Sequence, residues 1–299
     1  MGNSPNGLLT EAWGEGRLAR NNIHCKCKGI DMDGLKQVSL ALATAGVLAS
    51  GMAQAALNDR GGGMIYDDVL DITWLQDANY AKTSGYAAAH AIDNGLQATN
   101  NIHVDGRMGW DAAKTWASNL TFGGYDGWRL PTMIDTAAPG CDLSNSGTDC
   151  GYNVQTYDSG TRTIYSELAY MYYVNLALKA GKNTDDSERD DFGIFGNGTL
   201  NGVDNSFRGQ TDIGLIRNLQ NYGYWFGLQH AVNTYVTWSV LFDFGWQTAV
   251  GKQEELYAWA VHPGDVAPVP ESKTYVMLLA GLGLLGVLAK RRRRSFDAS

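Results

Sequence analysis

Residues that commonly perform catalysis are sparse in this chain. His90, His103, His230 and His262 stand far apart and form no HxxxH or HxH pattern, which a zinc hydrolase would need for its ligands. No GxSxG sequence is present to place a nucleophilic serine on a strand-to-helix turn. A Ser-His-Asp triad forms only in space and stays open, but the sequence favours a protein that is not an enzyme.

Oxygen-bearing side chains cluster in one region and could bind a cation. The acidic candidates there are Asp185, Asp186, Glu188, Asp190, Asp191 and Asp204, together with Asn197, Asn201 and Asn205. Carboxylate and carbonyl oxygens on a loop suit Ca²⁺. However, the spacing matches no EF-hand, and an acidic run is usually a solvated face. Calcium is the one cofactor that the sequence indicates, and the alternative is a chain without a cofactor.

Aromatic residues are concentrated in the last third of the chain. A small sheet cannot bury all of them on one face, so some should reach the surface, where rings beside amides and carboxylates bind sugars by stacking and hydrogen bonding. Tyr222, Tyr235 and Trp246 lie next to polar or turn-forming residues and are the predicted ligand-binding positions. The alternative is that most of these rings belong to the core.

The elements that must position these residues are short. Alternation predicts a hairpin over 65–75 with Asp67 and Asp68 at its turn, and strands over 224–227, 237–244 and 257–261. Apolar spacing predicts a helix over 110–120 and a second over about 166–179, with a surface excursion over about 180–217. The prediction is an α+β fold of short twisted antiparallel sheets, one or two helices and long loops.

Charge and cysteine content limit the partners and the compartment. Residues 56–270 contain 25 acidic and 12 basic residues, a net charge near −13 that disfavours nucleic acid and anionic membranes as partners. Cys141 and Cys150 flank a polar loop and are predicted to form a disulfide in an oxidising compartment. A reduced, buried pair is the alternative.

The C-terminal end has three consecutive features. Pro270 and Glu271 precede an uncharged apolar run over 275–289, and a basic cluster follows, formed by Lys290, Arg291, Arg292, Arg293 and Arg294. The run is short for a membrane span, which needs about 20 residues, and basic flanking residues stay cytoplasmic. This layout resembles the PEP-C-terminal sorting signal of Gram-negative bacteria, although Ser272 replaces its second proline. The resemblance implies processing of residues 266–299 by an exosortase after insertion in the inner membrane; an ordinary tail anchor is the alternative.

The N-terminal region contains a second targeting pattern. Residues 32–55 combine Lys36, an apolar stretch and the small-x-small sequence Ala53-Gln54-Ala55, which predicts a secretory signal peptide read by the Sec translocon. Because a signal peptide begins at the initiator methionine, Met32 is the expected start. Residues 1–31 then either precede the true start or form a disordered extension. The alternative is a cytoplasmic extension with a metal or redox pair at Cys25 and Cys27.

One block of the body resembles a known family. Trp128, Arg129, Leu130, Pro131 and Thr132 follow a helix and a Gly-Gly-Tyr turn, as in the core motif of a bacterial family of extracytoplasmic domains that includes the C-terminal domain of collagen-like adhesins. The resemblance implies a C-type-lectin-like domain over 56–265 with an insertion over about 135–217. Arg129 is predicted to be structural, as a fork that reaches a carboxylate or backbone carbonyls.

These features predict an exported protein that is tethered in the periplasm and then reaches the cell surface or extracellular matrix. The favoured function is a non-catalytic module that binds a glycan or exopolysaccharide. The alternatives are a structural matrix protein that acts through protein contacts and, less favoured, an extracytoplasmic enzyme.

Overall fold

The computed structural model describes residues 57–137, 141, 149–198, 209–268 and 282. The predicted signal peptide, Asp204, the Pro270-Glu271 motif and the basic cluster lie outside the described residues. In chain order the elements are β1 (Leu57–Gly61), β2 (Met64–Asp67), β3 (Ile72–Leu75), α1 (Tyr80–Thr83), α2 (Tyr86–Ala89), β4 (Arg107–Met108), α3 (Trp110–Ser118), β5 (Tyr157–Asp158), β6 (Thr163–Ile164), α4 (Glu167–Tyr170), β7 (Gln210–Ile213), β8 (Ile216–Gln220), β9 (Gly223–Gln229), β10 (Val236–Leu241), β11 (Trp246–Gly251), β12 (Leu256–Tyr257) and β13 (Val261–Pro263).

The strands form two main sheets. One has the order β1-β2-β3-β13 and the other the order β11-β10-β9-β12-β4, and β5-β6 and β7-β8 form separate two-stranded pairs. The pairing is antiparallel throughout these strands except between β12 and β9. A mixed α+β architecture of small, mostly antiparallel sheets with few helices is thereby confirmed, as is the hairpin predicted over 65–75.

Tryptophans and tyrosines fill the space between the elements. Trp74 and Trp259 are fully buried with ring centroids 4.8 Å apart, and Tyr224 packs against Phe242 at 4.9 Å. The indole nitrogen of Trp259 donates to the Leu75 carbonyl at 2.7 Å, so the ring is buried without losing a hydrogen bond. Full burial of each large side chain stabilises the fold by about 1.5–3 kcal/mol, and these rings set the positions of the strands.

Helix α3 follows its predicted pattern, whereas the second predicted helix is much shorter. In α3, Trp110, Ala113 and Ala117 are buried. The helix predicted over 166–179 is α4, which continues as a single wide π turn over Met171–Asn175 and then ends. Ala177 has a φ of 50°, a left-handed conformation that an α-helix excludes. The prediction was therefore wrong beyond residue 175.

The predicted surface excursion over 180–217 also contains regular structure. Gln210–Ile213 and Ile216–Gln220 form the β7-β8 hairpin, which the prediction had treated as loop. Its polar sequence hides the strand pattern, because only some positions of the hairpin are buried.

The Trp128–Thr132 block joins three parts of the fold. Trp128 and Leu130 are buried, and the Arg129 backbone bridges Val261 in β13 in both directions at 2.8 Å. The Arg129 guanidinium donates two bonds of 2.8 Å to the carboxylate of Glu167, a buried residue of α4. The same carboxylate accepts the Thr132 amide at 2.7 Å. Arg129 thus neutralises a buried acid and fixes α4 against the block.

The chain leaves β13 through an exit segment, residues 264–268, that runs back across the first sheet. The Gly264 carbonyl accepts the Thr73 hydroxyl at 2.7 Å, and the Val266 amide donates to the same hydroxyl at 3.2 Å. Asp265 then forms a two-bond salt bridge with Arg60 of β1, at 2.7 Å for each bond. The segment is therefore attached to both β3 and β1.

Candidate functional site

The connection between β9 and β10 presents Tyr235 to solvent on a well-supported loop. His230 stacks on Trp238 with centroids 5.1 Å apart, and its Nδ1 accepts the Val232 and Asn233 amides at 3.2 and 3.1 Å. The Asn233 side chain accepts the Tyr235 amide at 3.1 Å. These bonds hold the backbone on both sides of Tyr235, whose surface is 83% exposed.

Asp135 lies three residues after the Trp128–Thr132 block and connects that block to this loop. Its carboxylate accepts the Trp238 indole NH at 2.9 Å and the Ala231 amide at 2.6 Å. Desolvation acts to raise the pKa of Asp135, but these bonds and one from the Ala137 amide outweigh it and hold the pKa below its ordinary value. The carboxylate therefore stays ionised at neutral pH and keeps the loop in place.

Tyr235 stands at an open cleft of about 610 Å³, which we call the Tyr235 cleft. Its lining consists of Gln97, Thr99, Thr234, Tyr235, Val236, Gly251, Lys252 and Gln253. Thr99 lies close to the start of α3, because its carbonyl accepts the Asp111 backbone amide at 3.0 Å. A Cβ at Gly109 would lie 2.5 Å from the Thr99 carbonyl carbon, so this close approach requires glycine. The cleft is thus built from segments that are distant in sequence.

The lining combines an exposed ring with hydrogen-bonding groups. Gln97 and Gln253 contribute amides, Thr99 and Thr234 contribute hydroxyls, and the Tyr235 ring offers a flat apolar face. A sugar has the complementary chemistry, because one face of the ring is apolar and its edge carries hydroxyls. Sequence reasoning identified Tyr235 but missed Gln97, Thr99 and Gln253, which no local pattern singles out.

The other two predicted ligand-binding positions lie elsewhere. Trp246 begins β11, and the β10-β11 register places it opposite Leu241, whereas Gly251 at the cleft lies opposite Val236 at the other end of the hairpin. Its ring packs on Tyr152 at 5.4 Å and is only partly exposed. Tyr222 is also partly buried, with Tyr257 6.4 Å away. The structure does not bring Tyr222, Tyr235 and Trp246 into one site.

A second cleft, of about 330 Å³, lies between β3 and the β7-β8 hairpin and is lined in part by Asp77, Asp212 and Asn218. Asn218 connects the two acids, since its side-chain amide donates to Asp77 at 2.9 Å and its backbone amide donates to Asp212 at 2.9 Å. Asp77 also accepts the Asn79 amide and the Thr83 hydroxyl at 2.8 and 2.7 Å. Because these bonds start α1 and attach the hairpin, both carboxylates have structural contacts.

The predicted calcium ligands are largely occupied by internal cations. Lys182 pairs with Asp186 at 2.8 Å and with Glu188 at 3.3 Å, and Asp191 pairs with Arg189 at 2.7 Å. Asp185 accepts the amide and hydroxyl of Ser187, and Asp190 is exposed. Over the described parts of the chain, no group of three His, Cys, Asp or Glu residues is placed to hold a metal. Asp204 lies outside them, and calcium remains a prediction.

Two further features bear on export. Cys141 and Cys150 form the predicted disulfide, and Cys150 is buried. Within the ranges that the structure describes, no helix is long and apolar enough to cross a bilayer. The predicted membrane segment over 275–289 lies outside those ranges except for Leu282.

Comparison with known proteins assigns no class to this protein. No family model matches the chain, and searches of curated proteins and of solved structures return no significant match.

Proposed function

We propose that the protein is an exported, non-catalytic module that binds a glycan, and that the Tyr235 cleft is its binding site. The observation that carries the proposal is a ring exposed to 83% and held on a fixed loop at the edge of a cleft lined by two amides and two hydroxyls. The preorganised loop lowers the entropic cost of binding.

The targeting pattern and the family resemblance support the same proposal. A signal peptide over 32–55 and an exosortase-type sorting tail over 266–299 would deliver the domain to the cell surface or matrix, where it could meet an exopolysaccharide. A C-type-lectin-like fold is compatible with small antiparallel sheets and long loops. The disulfide supports an oxidising destination.

The test is a glycan array probed with the full chain, followed by titration of the best ligand with Tyr235→Ala. Loss of a stacked ring should weaken binding about tenfold, or about 1.4 kcal/mol. Tyr235→Phe should bind nearly as well as the parent, because the ring face remains. Both variants should unfold at the parental temperature, since Tyr235 makes little buried contact.

The matched control is Val104→Ala, which removes an exposed apolar side chain that lines neither cleft. It should leave binding unchanged. Equal binding by the parent and Tyr235→Ala would refute the assignment of the cleft.

One observation favours a second function, in which the protein acts through protein contacts. Leu96 and Val232 are exposed to 90% and 74%, and each is close in sequence to a residue of the Tyr235 cleft. Exposed apolar groups of this kind occur at protein interfaces. Absence of glycan binding by a folded chain, together with self-association that Leu96→Ser or Val232→Ser abolishes, would favour this alternative.

A further inference from the structure

The lining of the Tyr235 cleft differs in charge from the rest of the domain. Acidic residues outnumber basic ones by about two to one over 56–270, yet among the described residues that line the cleft none is acidic and Lys252 alone is charged. Its amide donates to the Tyr235 carbonyl at 3.3 Å, so this cation is attached to the loop that carries the exposed ring.

A second ammonium group contacts the same aromatic ring as Lys252. The Nζ atoms of Lys114 and Lys252 are 4.3 and 4.6 Å from the centroid of the Trp110 ring, so they are no more than about 9 Å apart. Trp110 is buried and fixed by a 2.8 Å bond from its indole nitrogen to the Phe226 carbonyl. The ring therefore holds both cations through cation–π contacts, and Lys252 is the one of the two that lines the cleft.

Neither ammonium group is neutralised by a carboxylate at ion-pair distance among the described residues. The Lys252 Nζ donates to the neutral Gln229 amide oxygen at 2.6 Å. Three acids are near in sequence: Asp111, whose carboxylate accepts the Thr99 hydroxyl, Glu254, which is exposed, and Glu255, which lies 2.6 Å from the His103 ring nitrogen. None of them lines the cleft. An anion that approaches Lys252 would therefore meet a positive charge that no carboxylate neutralises.

We infer that the glycan bound in the Tyr235 cleft is acidic, with a carboxylate, as in a uronic acid, that reaches Lys252 while a neighbouring sugar ring stacks on Tyr235; the charge of Lys114 adds to the attraction. This inference rests on the proposed function. Charges more than about 8 Å away are screened at physiological salt, so Lys252 acts on a bound carboxylate more strongly than the remote acidic residues do. The rest of the domain is negatively charged and repels an acidic polymer, so the polymer should bind at the cleft and not elsewhere on the surface.

The experiment compares polygalacturonate with its methyl ester, which have the same sugar backbone and differ in charge, on an array that also carries neutral and other uronic-acid glycans. The full chain should prefer uronic-acid glycans to their neutral counterparts by about tenfold. Binding should weaken as NaCl is raised from about 50 to about 500 mM. Lys252→Gln should reduce binding of the acidic form several-fold and binding of the neutral form by a smaller factor, and Lys114→Gln should reduce binding of the acidic form by less than Lys252→Gln does.

Lys82→Gln is the matched control, because Lys82 is an exposed lysine that lines neither cleft. It should have no effect, and Glu254→Gln should strengthen binding of the acidic form. If neutral and acidic glycans bind equally, and Tyr235→Ala weakens the binding of both kinds of glycan, the inference is wrong and the proposed function stands. If no glycan binds the folded chain, both are wrong.

Discussion

Asp243 offers a sharp test of how burial and charge balance in this fold. It lies in the turn between β10 and β11 and is only 2% exposed. None of the described cations forms an ion pair with it. Desolvation raises the pKa of Asp243 to about 7, although its own backbone amide and that of Phe244 oppose the shift. The carboxyl group is therefore neutral in the folded protein under mildly acidic conditions.

The effect on stability follows from the difference between the folded and unfolded pKa. The ordinary pKa is 3.8, and each pKa unit corresponds to about 1.4 kcal/mol. Below pH 3.8 both states carry the proton and no penalty arises. As the pH rises from about 4 to about 7, the unfolded chain ionises while the folded one does not, so the free energy of unfolding falls by about 4 kcal/mol. It stays low at higher pH.

Asp243→Asn should remove this dependence, because the amide has the same shape, still accepts the Phe244 amide and cannot ionise. At pH 8 the variant should be more stable than the parent by about 2–4 kcal/mol, and at pH 4 the two should be nearly equal. Urea unfolding followed by tryptophan fluorescence at pH 4, 6 and 8 measures the difference. Asp190→Asn, at an exposed position, is the control and should change little. A variant that is destabilised equally at all three pH values would refute the reasoning.

Three other changes probe the scaffold and the cleft. Arg129→Ala should lower the free energy of unfolding by about 2–4 kcal/mol, because the buried Glu167 side chain would lose its partner cation and two hydrogen bonds; urea unfolding measures this. Cys150→Ser opens a loop with a sequence separation of 9 and should cost about 2–3 kcal/mol by the same measurement. Gly251→Ala places a Cβ 2.6 Å from the Gln253 amide oxygen, so it should displace that amide and weaken glycan binding several-fold with little loss of stability.

Each of these has a distinct control. Arg129→Lys should recover only part of the stability, because lysine lacks the two-bond fork. Treatment of the parent with a reductant should reproduce the effect of Cys150→Ser, and a serine variant as stable as the oxidised parent would contradict the disulfide prediction. Gln253→Ala should match Gly251→Ala in binding. If it binds as the parent does, Gln253 has no part in the cleft.

The parts of the fold that could be predicted are those whose pattern is local. The hairpin over 65–75 and the strands β9 and β10 are short runs rich in aromatic and aliphatic residues, and helix α3 has helical spacing. Four consecutive residues are buried in each of β3, β9 and β10, so both faces of these strands are covered. The helix predicted over 166–179 failed because a π turn over Met171–Asn175 and a left-handed Ala177 end it. Neither feature has a signature in these residue types.

The candidate site was only partly predictable for the same reason. Tyr235 stands out locally as an aromatic residue among Asn and Thr in a turn. Gln97 precedes Tyr235 by more than a hundred residues, and Gln253 is separated from Gln97 by a similar length of chain. Ordinary surface loops also contain such amides. The bond from Trp238 to Asp135 spans 103 positions. Only the fold brings these residues together.

The exit segment has a mechanical consequence for a protein tethered by its C-terminal end. Force transmitted along the chain beyond residue 268 would first load the contacts of residues 264–268 with Thr73 and Arg60. The three residue pairs between β13 and β3 would bear load only after those contacts had broken. In a pulling experiment, Asp265→Ala should therefore lower the rupture force by a larger fraction than it lowers the free energy of unfolding. An unchanged rupture force would contradict this load path. Under the proposed C-terminal tethering, these contacts would resist traction at the point where the domain is attached.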